Sequence, residues 1–289
     1  MKSRFFIALA FLVSALFAGA SAVLKGGQAG QFGDIQLMLE NLRPSGQPVI
    51  PIFDGWIPKE DGSYDLCFAY FNLNLQEELH IPLGPDNFIE PAEFDGRQPT
   101  HFHQVPPGYR RYYCAFTVNV PPTFGDQRVV WTLRRHGRSY STPGHIQRRE
   151  YLLEDLYQRS EDRVAPWVRF LEPAESETAR GRRGVRAGPV AAVVGSPLTL
   201  TLSVTDAEPK PQGNRPRSFE VLWYKHQGPP GKVSFGEKSI KLEKGETTAT
   251  TTATFSEPGD YVLRVAALNG DFFSHCCWTT GYLKVTVTR

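Results

Sequence analysis

The chain has 289 residues, with 32 Lys and Arg against 30 Asp and Glu and a formal net charge of +2. That near-balance argues against general nucleic-acid binding, which relies on an excess of phosphate-neutralising cations. With 26 Gly and 23 Pro beside many Val, Thr, Tyr and Phe, the composition favours short strands joined by turns over helices.

Residues 1–22 begin with Lys2 and Arg4, run apolar from Phe5 to Ala18 apart from Ser14, and end in Ala20-Ser21-Ala22. This is the pattern of a secretory signal peptide, and the run is shorter than the roughly 20 residues of a membrane-spanning helix. The expectation is an exported protein, periplasmic or extracellular, with no transmembrane segment in its mature chain. Cleavage also removes both leading cations, bringing the charge near zero. Residues 23–47 start Gly- and Gln-rich and are expected to be disordered or extended, with a short helix or strand over 33–41.

A first β-sandwich is expected over 48–144. Pro48, Pro51 and Pro58 impose an extended path, and Pro58 to Gly62 makes a turn. Over 64–75 the sequence alternates, with Cys67, Ala69, Phe71, Leu73 and Leu75 on one face and Phe68, Tyr70, Asn72 and Asn74 on the other. Leu79, Ile81 and Leu83 resume the period. A Pro-rich loop over 84–107 leads to a strand with Tyr112, Cys114, Phe116, Val118 and Val120 as its apolar set, and Val129, Trp131 and Leu133 mark another. Cys67 and Cys114 both sit on apolar faces, so the preferred disulfide is Cys67–Cys114; two buried free thiols are the alternative.

From 145 to 189 arginine is frequent and apolar periodicity weak, apart from two helical turns over 151–157. This segment is expected to be a charged linker, partly helical or flexible. Arg180, Arg182, Arg183 and Arg186 read as a solvated tether, or alternatively as a contact to an anionic surface.

Over 190–289, apolar alternation recurs at 198–204, 219–223, 233–235, 251–255, 261–265 and 283–287, which fits a seven-strand antiparallel sandwich. Trp223 is its expected central ring. Residues 252–271, TATFSEPGDYVLRVAALNGD, resemble the closing strands of immunoglobulin-like sandwiches of the polycystic-kidney-disease (PKD) type in bacterial exported proteins, where a Pro-Gly turn precedes an aromatic residue. The resemblance implies a fold, and modules of this kind serve as spacers, adhesion units and carbohydrate contacts alike. Cys276 and Cys277 are adjacent. They form a vicinal disulfide, remain two thiols, or leave one thiol bonded elsewhere. The fold class is therefore all-β, two antiparallel immunoglobulin-like sandwiches joined by the linker.

The chemistry-bearing residues gather in the first unit. Phe53 to Trp56, the run from Asn72 through residues 84–91 (GPDNFIEP), and residues 96–102 (GRQPTHF) resemble exported bacterial proteins of unknown function, which implies a shared fold and no known reaction. Asn72, Asn74, Glu77, Glu78, Asn87, Glu90, Gln98, Thr100 and His101 are candidate ligand-binding residues, suited with nearby tyrosines to a cell-surface glycan or protein. Asp86, Asn87, Glu90 and Asp95 offer oxygen ligands of the kind Ca²⁺ takes. His101 and His103, with His80 as a third donor, offer nitrogen ligands for Zn²⁺ or Cu²⁺. The structural alternative is that the same amides and acids cap turns and order the loop. No G-x-S-x-G, H-E-x-x-H, P-loop or G-x-G-x-x-G occurs. The sequence thus points to a non-catalytic binding or scaffolding protein of the bacterial envelope. The alternative is a metal-dependent hydrolase using His101, His103 and nearby carboxylates.

Overall fold

In the computed structural model, residues 43–104, 111–153, 164–205, 219–243, 247–269 and 277–289 are described. The leader, residues 23–42, the helical turns beyond 153, and Cys276 lie outside them. Strands β1 (Val49–Pro58), β2 (Tyr64–Asn72) and β6 (Arg111–Val120) form one antiparallel sheet in the order β1-β2-β6. Pro51 and Pro58 are tolerated because β1 is the edge strand. A second sheet, in the order β4-β7-β8, contains β4 (Asn87–Glu90), β7 (Val129–Arg135) and β8 (Arg138–Gly144). A two-residue ladder joins β3 (Leu79–His80) to β5 (His101–Phe102). Between the sheets lie Leu66, Phe68, Tyr70, Phe116 and Val118, with Trp131 fully buried among them. Phe68 stacks on Phe116 at 5.3 Å and Trp131 meets Phe116 edge-on at 5.0 Å. Such pairs add about 0.5–1.5 kcal/mol each beyond area burial.

Cys67 and Cys114 are bonded, as the alternation suggested, but not inside this core. Cys114 has φ 37°, and the β2–β6 register shifts between Phe68 and Tyr70. The bulge takes Cys114 off the face of Tyr112 and Phe116 and puts Ala115 in the core instead. Asp54, at the matching irregularity of β1, accepts the Cys114 N–H at 2.7 Å and pairs with Arg111.

The second sandwich has nine strands among the described residues. One sheet runs β10 (Val185–Val193), β17 (Trp278–Thr288), β16 (Gly259–Asn269), β12 (Phe219–Gln227), β14 (Ser239–Leu242). The other runs β13 (Val233–Phe235), β15 (Thr248–Phe255), β11 (Leu198–Thr205), β9 (Trp167–Glu172). All pairs are antiparallel except β10 with β17. Trp223 is fully buried in the core. Tyr261, just after the Pro258-Gly259 turn, donates its hydroxyl to the Glu257 carbonyl at 2.8 Å, the tyrosine corner of immunoglobulin-like folds.

Two of these strands come from the segment expected to be linker. β9 pairs with β11, and β10 opens alongside β17. Its arginines rest on aromatic faces: Arg180 on Trp167, Arg182 on Trp278 and Arg186 on Tyr282, at 5.3, 4.6 and 4.7 Å. Val185 and Ala187 supply the buried side of β10. Small residues, a Gly-Pro pair and outward arginines hid that strand.

The two sandwiches belong to one compact unit, Ser45–Arg289. Along β16, Leu263, Val265 and Ala267 enter the second core, while Ala266 and Leu268 pack on the Cys67–Cys114 bond with Trp278. Arg264 is buried in the same junction. It donates to the Tyr112 hydroxyl at 2.9 Å and to the Cys114 carbonyl at 3.3 Å, with Tyr112 and Tyr224 rings beside its guanidinium.

The disulfide closes a loop spanning 47 positions, for which chain entropy gives roughly 4 kcal/mol. Replacing both cysteines with alanine is expected to lower unfolding stability by about 2–4 kcal/mol in denaturant titration. An unchanged midpoint would show that the junction holds without it.

Candidate functional site

The stretch 72–103 folds back on itself around buried amides. Asn72 is almost fully buried; its Nδ2 donates to the carbonyls of Glu77, Phe102 and His103, and its Oδ1 accepts from Asn74. Asn74 exchanges hydrogen bonds with the Gln47 backbone at 2.6 and 2.8 Å. Glu77 accepts the Gly46 N–H at 2.7 Å. Asn87, fully buried, donates to the Ile81 and Pro99 carbonyls at 3.0 and 2.8 Å and accepts from Trp131 Nε1 at 3.0 Å. Gln98 donates to the Asn87 carbonyl and to Asp95. The hydrogen-bonding capacity of these amides is spent inside the fold, as turn and loop ties.

Gln98 and Thr100 also reach the second sandwich. The Thr100 N–H donates to the His226 carbonyl at 2.9 Å, and its hydroxyl accepts the Gly228 N–H at 3.2 Å. Gln227 Nε2 donates to the Gln98 carbonyl at 2.7 Å. Gly228 has φ 142°, and a Cβ there would collide with the Tyr261 ring, so glycine is required. A bulge in β12 between Lys225 and Gln227 turns His226 across the junction, where Nε2 bonds the Arg97 carbonyl at 3.0 Å. Burial, reinforced by the charges of Arg264 and Arg186, pushes the His226 pKa down to about 3 despite that bond, so the ring is neutral at physiological pH.

Of the proposed oxygen ligands, Asp95 accepts the Ile89 N–H and a Gln98 amide proton, while Asp86 and Glu90 are exposed. Among the described residues, these carboxylates form no convergent group of three or more ligands. The ladder does bring other groups together. Leu79 faces Phe102 and His80 faces His101, and continuing that register sets Glu78 opposite His103. Glu78, His80, His101 and His103 therefore share one side of the ladder. Glu78 Oε2 lies 3.1 Å from His101 Nε2, and Oε1 lies 3.5 Å from His103 Nδ1. Among the described residues, Glu78, His101 and His103 are the set whose donor atoms all lie within 4.8 Å of one another. His80 stands outside that set, its Nδ1 buried and without a hydrogen-bond partner. Hydrogen bonding to His101, with His103 beside it, holds the Glu78 carboxyl well below its ordinary range, while burial lowers the His103 pKa. The sequence named both histidines; Glu78 appeared only among the general polar groups, because its convergence depends on ladder register.

A groove of about 460 Å³ opens where the sandwiches meet, lined by Arg97, Thr117, Arg186, Gln227, Tyr282 and Lys284 among others. It was not foreseen, because its walls come from segments far apart in the chain.

No protein-family model matches the sequence, and no curated protein matches it. Among solved structures, similarity was found to domains 4 and 5 of the S-layer protein SbsC, with 12% identity, 57% of this chain and 66% of that one covered, and a TM-score of 0.25. The D0-D1 domain of intimin gives 12%, 83%, 100% and 0.24. The Yersinia pseudotuberculosis adhesin InvE gives 8%, 82%, 58% and 0.27. The chain thus spans just under two-thirds of the SbsC chain and 58% of InvE. Likeness at these scores carries no weight for function, and the sandwich architecture rests on the strand pairing described above.

The Asn87 network makes a direct prediction. Asn87→Ala leaves two carbonyls and the Trp131 N–H buried without partners, and is expected to destabilise the protein by about 2–4 kcal/mol. Denaturant unfolding checks this; a loss below about 0.5 kcal/mol would mean water replaces the amide without cost.

Proposed function

We propose that the chain is an exported, non-catalytic binding or scaffolding module that presents its junction groove to an acidic glycan. Export is supported by the Cys67–Cys114 bond and by the disulfide-bonded state of Cys277, since disulfides persist in oxidising compartments. No helix among the described residues is long and apolar enough to cross a membrane.

The groove is the observation that carries the reading. Its volume falls within the range of small-ligand sites, roughly 300–1,000 Å³. Arg97, Arg186 and Lys284 bring positive charge from both sandwiches, and Gln227 and Thr117 add neutral polar groups. Burial together with the neighbouring Arg186 and Arg183 charges lowers the Arg97 pKa, an electrostatic tension that a bound carboxylate relieves. Uronic-acid rings supply carboxylates for the cations and hydroxyls for the amide. Glu78, His101 and His103 do not line the groove, so the two features are separable by mutation.

Titration with a uronic-acid oligosaccharide, read by calorimetry, tests the proposal. Wild type is expected to bind with an affinity that falls as salt rises, and R97A/R186A to lose tenfold or more while keeping its melting temperature. Equal binding by the variant would refute the groove as the site, and binding of acidic peptides alone would reassign the ligand to a protein.

A further inference from the structure

The tautomer of His103 says something that its place in the fold does not explain. Its Nε2 lies 2.9 Å from the Lys225 carbonyl. A carbonyl only accepts, so Nε2 carries the proton. In the neutral ring Nδ1 is then a bare lone pair. It is buried, has no hydrogen-bond partner among the described residues, and faces the Glu78 carboxylate at 3.5 Å. A lone pair directed at an anion is repulsive unless a proton or a metal ion lies between them. The fixed Nε2–H bond to a backbone carbonyl is also the outer contact that orients metal-bound histidines.

We propose that Glu78, His101 and His103 bind a divalent first-row metal ion, with Zn²⁺ the best match to two imidazoles and one carboxylate. The donor atoms of a tetrahedral Zn²⁺ at ~2.0–2.1 Å lie about 3.3 Å apart. Two different Glu78 oxygens stand 3.1 and 3.5 Å from the two histidine nitrogens, and the three donors lie within 4.8 Å of one another, so the ion would draw the set together by about 1 Å. The His101 and His103 rings meet edge to face with centroids 4.7 Å apart, which places two imidazoles on one small volume. His103 comes from the rim side of the first sandwich, held by the second through Lys225. Glu78 is 42% exposed along its side chain, so the remaining coordination position opens to solvent, as in sites with three protein ligands and an exchangeable water. The ion would tie the β3–β5 ladder together and would accept a further ligand from outside.

The probe is Zn²⁺ alone, added to the metal-stripped full chain, with thermal unfolding and calorimetry as readouts and Co²⁺ absorption as a check on coordination. Wild type is expected to bind one ion and melt at higher temperature, whereas Ca²⁺ and Mg²⁺ leave the melting temperature unchanged because they prefer all-oxygen sites. Two variants, H103Q and E78Q, are expected to lose at least tenfold in Zn²⁺ affinity. H103Q retains an N–H donor for the Lys225 carbonyl, and far-ultraviolet circular dichroism confirms that both variants fold. Zn²⁺ binding that persists undiminished in both, or no binding by wild type, overturns the proposal; the groove variant R97A/R186A is expected to bind Zn²⁺ normally.

Discussion

A buried arginine without a carboxylate beside it is expensive unless every face of its guanidinium is occupied. Arg264 meets most of that demand by drawing on both sandwiches, its two terminal nitrogens hydrogen-bonded and its Nε buried without a partner. Tyr112 and the Cys114 carbonyl come from the first, and Tyr224 comes from the second. Around it, Ala266, Leu268 and Trp278 press on the Cys67–Cys114 bond. From Arg264 to Leu268 the outer face of β16 is therefore as buried as its inner face, and the charge ties one sandwich to the other.

Much of the fold was legible as two-residue periodicity. The strands carrying Phe68, Trp131, Trp223 and Tyr261 were visible because large apolar side chains alternate along them. What escaped lacked that contrast. β8 is a polar edge, and β10 is built from small residues with outward arginines, so neither raises an apolar signal. The Cys114 bulge changed the parity of a strand that otherwise read correctly. A positive φ at a single residue leaves no periodic trace.

The candidate site was legible only as a set of residue types. His101 and His103 stand two apart on one strand face, which sequence can show. That Glu78 lies across from them follows from the pairing of Leu79 with Phe102, and no local pattern sets that register. The amides were prominent in the sequence for the reason they matter structurally. Asn72 and Asn87 each hold several backbone carbonyls, so a Pro-rich loop with little regular hydrogen bonding acquires one conformation. Polar density along a chain marks either a ligand site or a substitute for missing secondary structure, and here burial decides between them.

The junction around Arg264 makes the two sandwiches one cooperative body. Differential scanning calorimetry of the full chain tests it directly. The account predicts a single transition whose calorimetric and van't Hoff enthalpies agree; two separated transitions, each of about half the enthalpy, would mean that the sandwiches unfold independently and that Arg264 does not join them.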